Sequence, residues 1–270
     1  MNRENFLRSV SVIDTETTHI DVLKAEIIEV ASGTYDGQTW QVETQLLGSQ
    51  NPIPPEASAT HHISNHMIRD KPKFEECVPQ VMSTLSWHKT WKVAHNAAYD
   101  QAVLARAWES TGLVEQAMVA QDNTAWICTY RLAKKVLNDH FPDMKYGLSY
   151  LRYRLDLPVP DHVPAHRADA DVFTCAALLE LLVDFAMATG AINSDQDLGS
   201  QLNQLCWSPF NIVTWPFGKH AGTALVDLST DYYMWALENM DALKEGHPSY
   251  DEDLATSVAQ ELEKRLSLSE

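Results

Sequence analysis

Val10-Ser11-Val12-Ile13-Asp14-Thr15-Glu16-Thr17-Thr18 is an apolar, β-branched run that ends in two carboxylates one residue apart. Side chains alternate faces along a strand, so a strand here projects Asp14 and Glu16 the same way. Two negative charges held that close repel each other unless something positive sits between them. A hard divalent cation with oxygen ligands, Mg²⁺ or Mn²⁺, is one answer. An acidic strand-to-turn junction is the other, and for a lone Asp-x-Glu it is the commoner one. Additional ligands elsewhere in the chain would change that balance. Two histidines are followed by an aspartate five residues later, His95 with Asp100 and His166 with Asp171. Both pairs fall at the start of a predicted helix, where side chains converge on the crevice at the end of a sheet. The helix dipole favours an acid in a first turn, which accounts for each aspartate separately but not for the histidines. A helical His166 would stand about 140° around the axis from Asp171. On the loop after Pro158, Pro160 and Pro164 it escapes that constraint and is free to take a proton from water.

Several elements must position these residues. A second strand reads over 26–35, Asp36-Gly37 has the chemistry of a two-residue hairpin turn, and a third strand returns over 38–47. Pro52, Pro54 and Pro55 mark a loop. Phe74, Val78, Val81, Met82 and Leu85 recur at helical spacing. A short buried strand over 91–96 leads into a helix over 97–110. A second strand and helix follow at 126–129 and 130–137, with Thr129 as the expected cap. A short helix fits 149–157. A long one over 168–189 carries one apolar stripe, Val172, Cys175, Ala176, Leu179, Leu182, Val183 and Ala186, and Gly190 closes it. A meander followed by strand-helix alternation predicts an α/β fold, a mixed sheet flanked by helices. Residues 191–208 read as a polar linker with a short helix. Residues 209–270 read as a small module whose core is marginal alone, so that it would dock on the main domain or another subunit. Trp207, Trp215, Tyr232, Tyr233 and Trp235 are expected to serve its core.

The 270 residues, 45% of them hydrophobic, suffice for one substantial core. The polar N-terminus, with no signal-peptide pattern and a strand directly after it, predicts a cytoplasmic protein with no membrane association. Cys77, Cys128, Cys175 and Cys206 lie far apart in apolar segments and read as reduced core thiols. A net charge of −17 argues against a polyanionic partner. The charge is uneven, with 16 Lys+Arg against 24 Asp+Glu over 1–190 and 4 against 13 over 191–270. The window 131–167 is locally basic, and suits either a phosphate backbone or a solvated helical surface.

Asp14-Thr15-Glu16-Thr17-Thr18, His95-Asn96-Ala97-Ala98-Tyr99-Asp100 and His166-Arg167-Ala168-Asp169-Ala170-Asp171 resemble, in order and spacing, the three motifs of the DEDDh branch of the DnaQ-like (RNase T superfamily) 3′-to-5′ exonucleases. Phe217-Gly218-Lys219-His220-Ala221-Gly222 resembles the C-terminal module of the exodeoxyribonuclease X type. The resemblance implies an exonuclease domain over 8–190, a linker over 191–208 and an accessory module over 209–270. The implied fold is an RNase H-like mixed five-stranded sheet. Asp14, Glu16, Asp100 and Asp171 would ligate two divalent cations, Mg²⁺ or Mn²⁺, and His166 would be the general base. Thr15, Thr17 and Thr18 would hold the terminal nucleotide, Ile63 would pack on its base and Asn96 would support the phosphate. The implied substrate is a DNA 3′ end, single- or double-stranded, cut to nucleoside 5′-monophosphates in repair or end processing. The module is expected to bind a protein partner or a second copy, or simply to stabilise the fold. Two positions depart from the pattern. His19 replaces a common glycine, placing a ring where it can reach the terminal base, and Tyr99 replaces a common phenylalanine. An exoribonuclease would share the chemistry and differ in contacts to the 2′-hydroxyl. A non-catalytic end-binding protein would have lost a ligand or the base, and all five residues are present.

Overall fold

The computed structural model describes residues 2–138, 140–141, 144–159, 167–245 and 251–267. The chain divides into two compact units, Met1–Trp207 and Ser208–Glu270. The first begins with a short helix, α1 (Arg3–Arg8), where the sequence reads as leading straight into a strand. The Asn2 side chain caps it by accepting the Asn5 N–H at 2.9 Å. Strands β1 (Val10–Thr17), β2 (Ile27–Tyr35) and β3 (Trp40–Leu46) form the expected antiparallel meander. The β2–β3 turn is longer than two residues. The Asp36 carboxylate accepts the N–H groups of Gln38 and Thr39, so 36–39 closes as an Asx-type loop.

Pro55 occupies the first position of a helix and does not extend a loop, because an N1 proline loses no hydrogen bond. That helix, α2 (Pro55–His61), is followed by α3 (Asn65–Ile68) and α4 (Val78–Thr84). Then come β4 (Trp91–Ala94), α5 (Ala98–Ser110), α6 (Val114–Gln121), β5 (Trp126–Cys128), α7 (Thr129–Leu137), α8 (Leu148–Arg154), α9 (Ala168–Ala188) and α10 (Leu198–Trp207). The sheet order among the described residues is β3-β2-β1-β4-β5, with β4 parallel to β1 and β5 parallel to β4. This is the expected mixed five-stranded sheet flanked by helices. β1 lies at its centre, so its carboxyl end faces the crevice beside the first parallel crossover.

α9 contacts β1, β2 and β3 on one side and α7 and α8 on the other. Burial therefore wraps most of the way around it, beyond a single stripe. Gly33 makes the close approach to β2 workable, since a Cβ there would lie 2.8 Å from Val172 Cγ1. Val172 is β-branched and stiff, so the helix must move instead. Gly33→Ala is expected to destabilise the fold by about 1–3 kcal/mol. It should also cut activity by displacing the neighbouring Asp171; thermal melts and hydrolysis rates of the same preparation check both effects.

α10 lies in the stretch read as a linker, and it packs in the first unit. Leu198, Gly199, Leu202 and Cys206 are buried, and a Cβ at Gly199 would overlap the Trp91 indole. Trp207 also belongs to this unit, its indole donating to the Trp126 carbonyl at 2.8 Å. The second unit contains α11 (Thr230–Asn239) and α12 (Glu252–Ser267) around Trp215, Leu225, Leu228, Tyr233, Ala236, Leu243, Leu254 and Val258. Trp215 and Tyr233 are core residues as expected, whereas Trp235 is 49% exposed. Among the described residues, no helix is long and apolar enough to cross a membrane. All four cysteines are buried free thiols.

Candidate active site

Strand alternation does bring Asp14 and Glu16 to one side of β1. Opposite them Glu16 pairs with Glu29 and Thr17 with Ile27, so β2 carries Ile28 as an extra residue at a bulge. A bulge sharpens twist and re-aims side chains at a strand's end. The other acids come from helix starts. Asp100 lies in the first turn of α5, and Asp171 in the first turn of α9. Asn96 turns the chain from β4 into α5 with a left-handed φ of 63°, a conformation asparagine tolerates better than most residues.

Carboxylate oxygens of Asp14, Glu16 and Asp171 all lie within 4.8 Å of one another. Asp100 stands outside this trio, with its Oδ1 accepting the Thr15 hydroxyl at 2.8 Å. The acids act on one another strongly. Burial, then Asp100, Asp171, Glu16 and Glu29, holds the Asp14 carboxyl well above the usual carboxylate range. Burial, then Asp171, Glu29 and Asp100, pushes Glu16 up to about 8. Burial pushes Asp100 up to about 7, against the lowering hydrogen bond from Thr15. A donor set of hard oxygens, mutually repelling and opening on a cleft, fits a hard divalent cation. That cleft, about 420 Å³, is lined by Asp14, His95, Gly147, Leu148, Ser149, Tyr150 and Asp171. A larger cavity of about 610 Å³, with Lys24, Lys73 and Arg106 in its wall, contains none of these four acids.

His95 borders the cleft but is tied down. One ring nitrogen, Nε2, lies 2.8 Å from the Tyr146 carbonyl, which can only accept, so Nε2 carries the proton. Nδ1 is left to accept the Thr129 hydroxyl at 3.0 Å. Burial lowers this imidazole to about 4, and it is neutral near pH 7. Thr129 consequently serves His95 and is the first residue of α7, not its cap; Cys128 holds the cap position. His166 lies outside the described residues.

The three threonines expected to hold a nucleotide have internal partners. Thr15 serves Asp100, and the Thr18 hydroxyl accepts the Glu26 N–H at 3.0 Å. Thr17 Oγ1 lies 2.5 Å from the Tyr99 hydroxyl, which donates to the His19 carbonyl at 2.7 Å. The two positions expected to depart from the resembled pattern therefore meet, because the Tyr99 hydroxyl pins the turn that carries His19. His19 is not among the residues with positive φ, so the turn needs no glycine. Its ring folds back, with Nδ1 accepting the Asp21 N–H at 2.8 Å. Tyr99→Phe removes about 1 kcal/mol of hydrogen bonding and is expected to raise KM for a nucleic-acid end about fivefold with little change in metal affinity. An unchanged KM in steady-state assays would detach this turn from substrate binding.

Ile63 is fully buried with Ile28, Ile53 and Ile68, so its side chain is committed to the core and presents no face to a base. Sequence reading overlooked three residues here. Glu29 and Arg167 form an ion pair at 2.6 Å. His61 is buried, with Nδ1 accepting the Ile63 N–H and Nε2 unpartnered. A lone acid in an apolar strand was the available signal for Glu29.

The profile of the RNase T family, described as exonuclease, matches residues 11–179. This chain belongs to the RNase T exonuclease family. It is 30% identical over 238 residues to exodeoxyribonuclease 10 of Escherichia coli (strain K12), covering 86% of this chain and 92% of that protein. It is also 30% identical over 178 residues to the DNA polymerase III subunit epsilon of Treponema pallidum (strain Nichols), covering 64% of this chain and 75% of that one. Among solved structures, exonuclease X in complex with 5′ overhanging duplex DNA is 28% identical, with a TM-score of 0.50, over 72% of this chain and 99% of that chain. Exonuclease I of E. coli in complex with a dT13 oligonucleotide shares the fold at 15% identity and a TM-score of 0.54, over 67% of this chain and 42% of that chain. The exonuclease thus has the DnaQ-like sheet, with its acidic trio at the carboxyl end of the central strand.

Proposed function

We propose that this exonuclease removes nucleotides one at a time from DNA 3′ ends, releasing nucleoside 5′-monophosphates by metal-dependent hydrolysis, and serves DNA repair or end processing. The observation that carries this reading is the clustering of Asp14, Glu16 and Asp171 at the crevice end of β1. The substrate assignment draws on the relatives named for exodeoxyribonuclease activity and on the structure that holds duplex DNA.

Asp14, Glu16 and Asp171, with Asp100 beside them, would hold two divalent cations, Mg²⁺ or Mn²⁺. Such cations, when bound, activate a water and neutralise charge on a phosphoryl group and its leaving oxygen. Thr15 holds Asp100 in one orientation. His166 is assigned to take the proton of the attacking water, an exchange that the ordinary imidazole pKa of about 6.5 suits. His95 is poorly suited to that role, because its unprotonated Nδ1 already accepts the Thr129 hydroxyl and burial lowers the imidazole to about 4. Instead it anchors the segment leading into Gly147–Tyr150, the opposite wall of the cleft. The backbone from Thr15 to His19, Asn96 and that wall are the surfaces left to hold the terminal nucleotide. The acidic second unit is assigned to a protein partner or a second copy and not to DNA.

The test is incubation with Mg²⁺ or Mn²⁺ and 5′-labelled DNA and RNA strands of one sequence. A one-nucleotide ladder shrinking from the 3′ end of DNA, abolished by EDTA, is the expected result. Preferential loss of the RNA strand would reassign the substrate, and degradation of neither would leave an end-binding protein. His166→Ala is expected to retain metal and DNA binding and lose about 10²–10⁴-fold in turnover, the range for general-base removal. His95→Ala should cost less, and the reverse order in single-turnover rates would exchange the two roles.

A further inference from the structure

Glu29 is a buried carboxylate with no part in the reaction above. It lies on β2, fully buried, directly across from Glu16. Another acid next to an acidic cluster is costly unless it is paired and hydrogen-bonded. Its partners account for its presence. Oε1 accepts Arg167 Nη2 at 2.6 Å, while Oε2 accepts Arg167 Nε at 3.1 Å and the Ala168 N–H at 3.1 Å. The arginine contact is a two-pronged fork, the strongest and most directional form of such a pair. The third bond satisfies one of the N–H groups that a helix start leaves without a partner.

Arg167 is the N-cap residue of α9, and no side chain of its own caps that helix. Its carbonyl accepts the Asp171 N–H at 3.0 Å, the bond that opens the helix. Glu29 therefore links the strand position facing Glu16 to the helical turn that carries Asp171. Most helix starts are capped locally by a serine, threonine, aspartate or asparagine, which sets no position relative to a sheet. Here the cap comes from a strand residue 139 positions earlier. A slip of one residue at this contact would rotate Asp171 by about 100°.

We propose that Glu29 is a positioning residue and not a metal ligand: with Arg167 it braces the start of α9 against β2 and sets Asp171 opposite Asp14 and Glu16. Two features separate brace from ligand. Glu29 is absent from the group of acids whose oxygens converge. Both of its own oxygens already accept donors, with Arg167 as the paired cation. This inference rests on the metal site proposed above and concerns how that site is held.

The test uses the full chain with Mn²⁺ as the probe, comparing Glu29→Gln, Arg167→Met, the double variant, Arg167→Lys and Asp171→Asn. Mn²⁺ affinity is measured without DNA by titration calorimetry, and kcat and KM are measured with a 5′-labelled strand. All measurements are made well below each variant's melting temperature. Each brace variant is expected to lose about 10–100-fold in Mn²⁺ affinity, the usual loss for groups that orient ligands. The kcat should fall with it and KM should change less than about threefold. The double variant should be no worse than the poorer single one, because both remove the same contact. Arg167→Lys should not rescue, since an ammonium cannot reproduce the fork.

Normal or tighter Mn²⁺ binding by Arg167→Met, with loss in Glu29→Gln, would make Glu29 a ligand and overturn the brace. Unchanged Mn²⁺ affinity and kcat in every brace variant, with only the melting temperature lowered, would reduce the pair to a stability contact and also overturn it. Glu29→Gln keeps the size and one acceptor of the native side chain, so a folded variant is available even if Arg167→Met is not. If Asp171→Asn left Mn²⁺ binding intact, the metal-site reading itself would fail, a result distinct from either failure of the brace.

Discussion

Asp14→Asn is expected to lower hydrolysis by about a thousandfold or more while raising the melting temperature of the metal-free chain. The two effects have one cause. Burial holds the Asp14 carboxyl well above its ordinary range, and Asp100, Asp171, Glu16 and Glu29 add to that in turn. An amide of the same shape removes that repulsion from the folded state. It also removes an oxygen donor from the trio. Loss of a metal-supported transition state costs several kcal/mol, and each 1.4 kcal/mol is about tenfold in rate. Stability gained where function is lost is the usual signature of a site built from mutually repelling groups. Calorimetric melts in EDTA, paired with single-turnover rates in Mg²⁺, measure both sides. A variant that melts lower than the parent in EDTA would show that Asp14 is stabilising in the fold and not strained by its neighbours.

The second large effect is a pH dependence whose direction changes with metal. In EDTA the chain should lose stability as pH rises from about 4 to about 8. Glu16 titrates near 8 in the fold because of burial and its acidic neighbours, and Asp100 near 7 because of burial. Their ordinary values are 4.5 and 3.8. Between those limits the folded chain keeps protons that the unfolded chain has released. Stability is then full below the unfolded values and falls as pH climbs through the folded ones. The slope is at most about 1.4 kcal/mol per pH unit for each proton held. A divalent cation competes with those protons, so Mg²⁺ or Mn²⁺ should stabilise little near pH 5 and increasingly towards pH 8. The net charge of −17 also opposes compaction at high pH. Repeating the melts in about 1 M KCl, where the Debye length is about 3 Å, screens that surface contribution. A melting temperature independent of pH in high salt and EDTA, or a metal shift equal at pH 5 and pH 8, would contradict the strained cluster.

Much of the site could be read from the chain because its parts are local. Alternation along β1 put Asp14 and Glu16 on one side without reference to any other element. The acids of α5 and α9 were marked by their place in a first turn, and Gly190 marked the end of α9, where its φ is 76°. α10 was harder to read because Ser200 and Gln204 face solvent and the helix packs on the distant β5 and α7, with Gly199 against Trp91. Two other outcomes turned on packing that no local pattern encodes. Ile63 is drawn into a cluster with Ile28, Ile53 and Ile68, and Thr15 turns to Asp100, 85 residues away.

By itself, then, the sequence determined which acids and histidines were present, which side of β1 two of them occupy, and the family to which their order belongs. Only the tertiary structure decided which of them share a space. It clustered Asp14, Glu16 and Asp171, gave Asp100 to Thr15, held His95 neutral against Tyr146, and joined Glu29 to Arg167. The physical reason is that backbone periodicity fixes the direction of a side chain over a few residues. Charge pairing, desolvation and hydrogen bonding act instead between groups that only chain closure brings together.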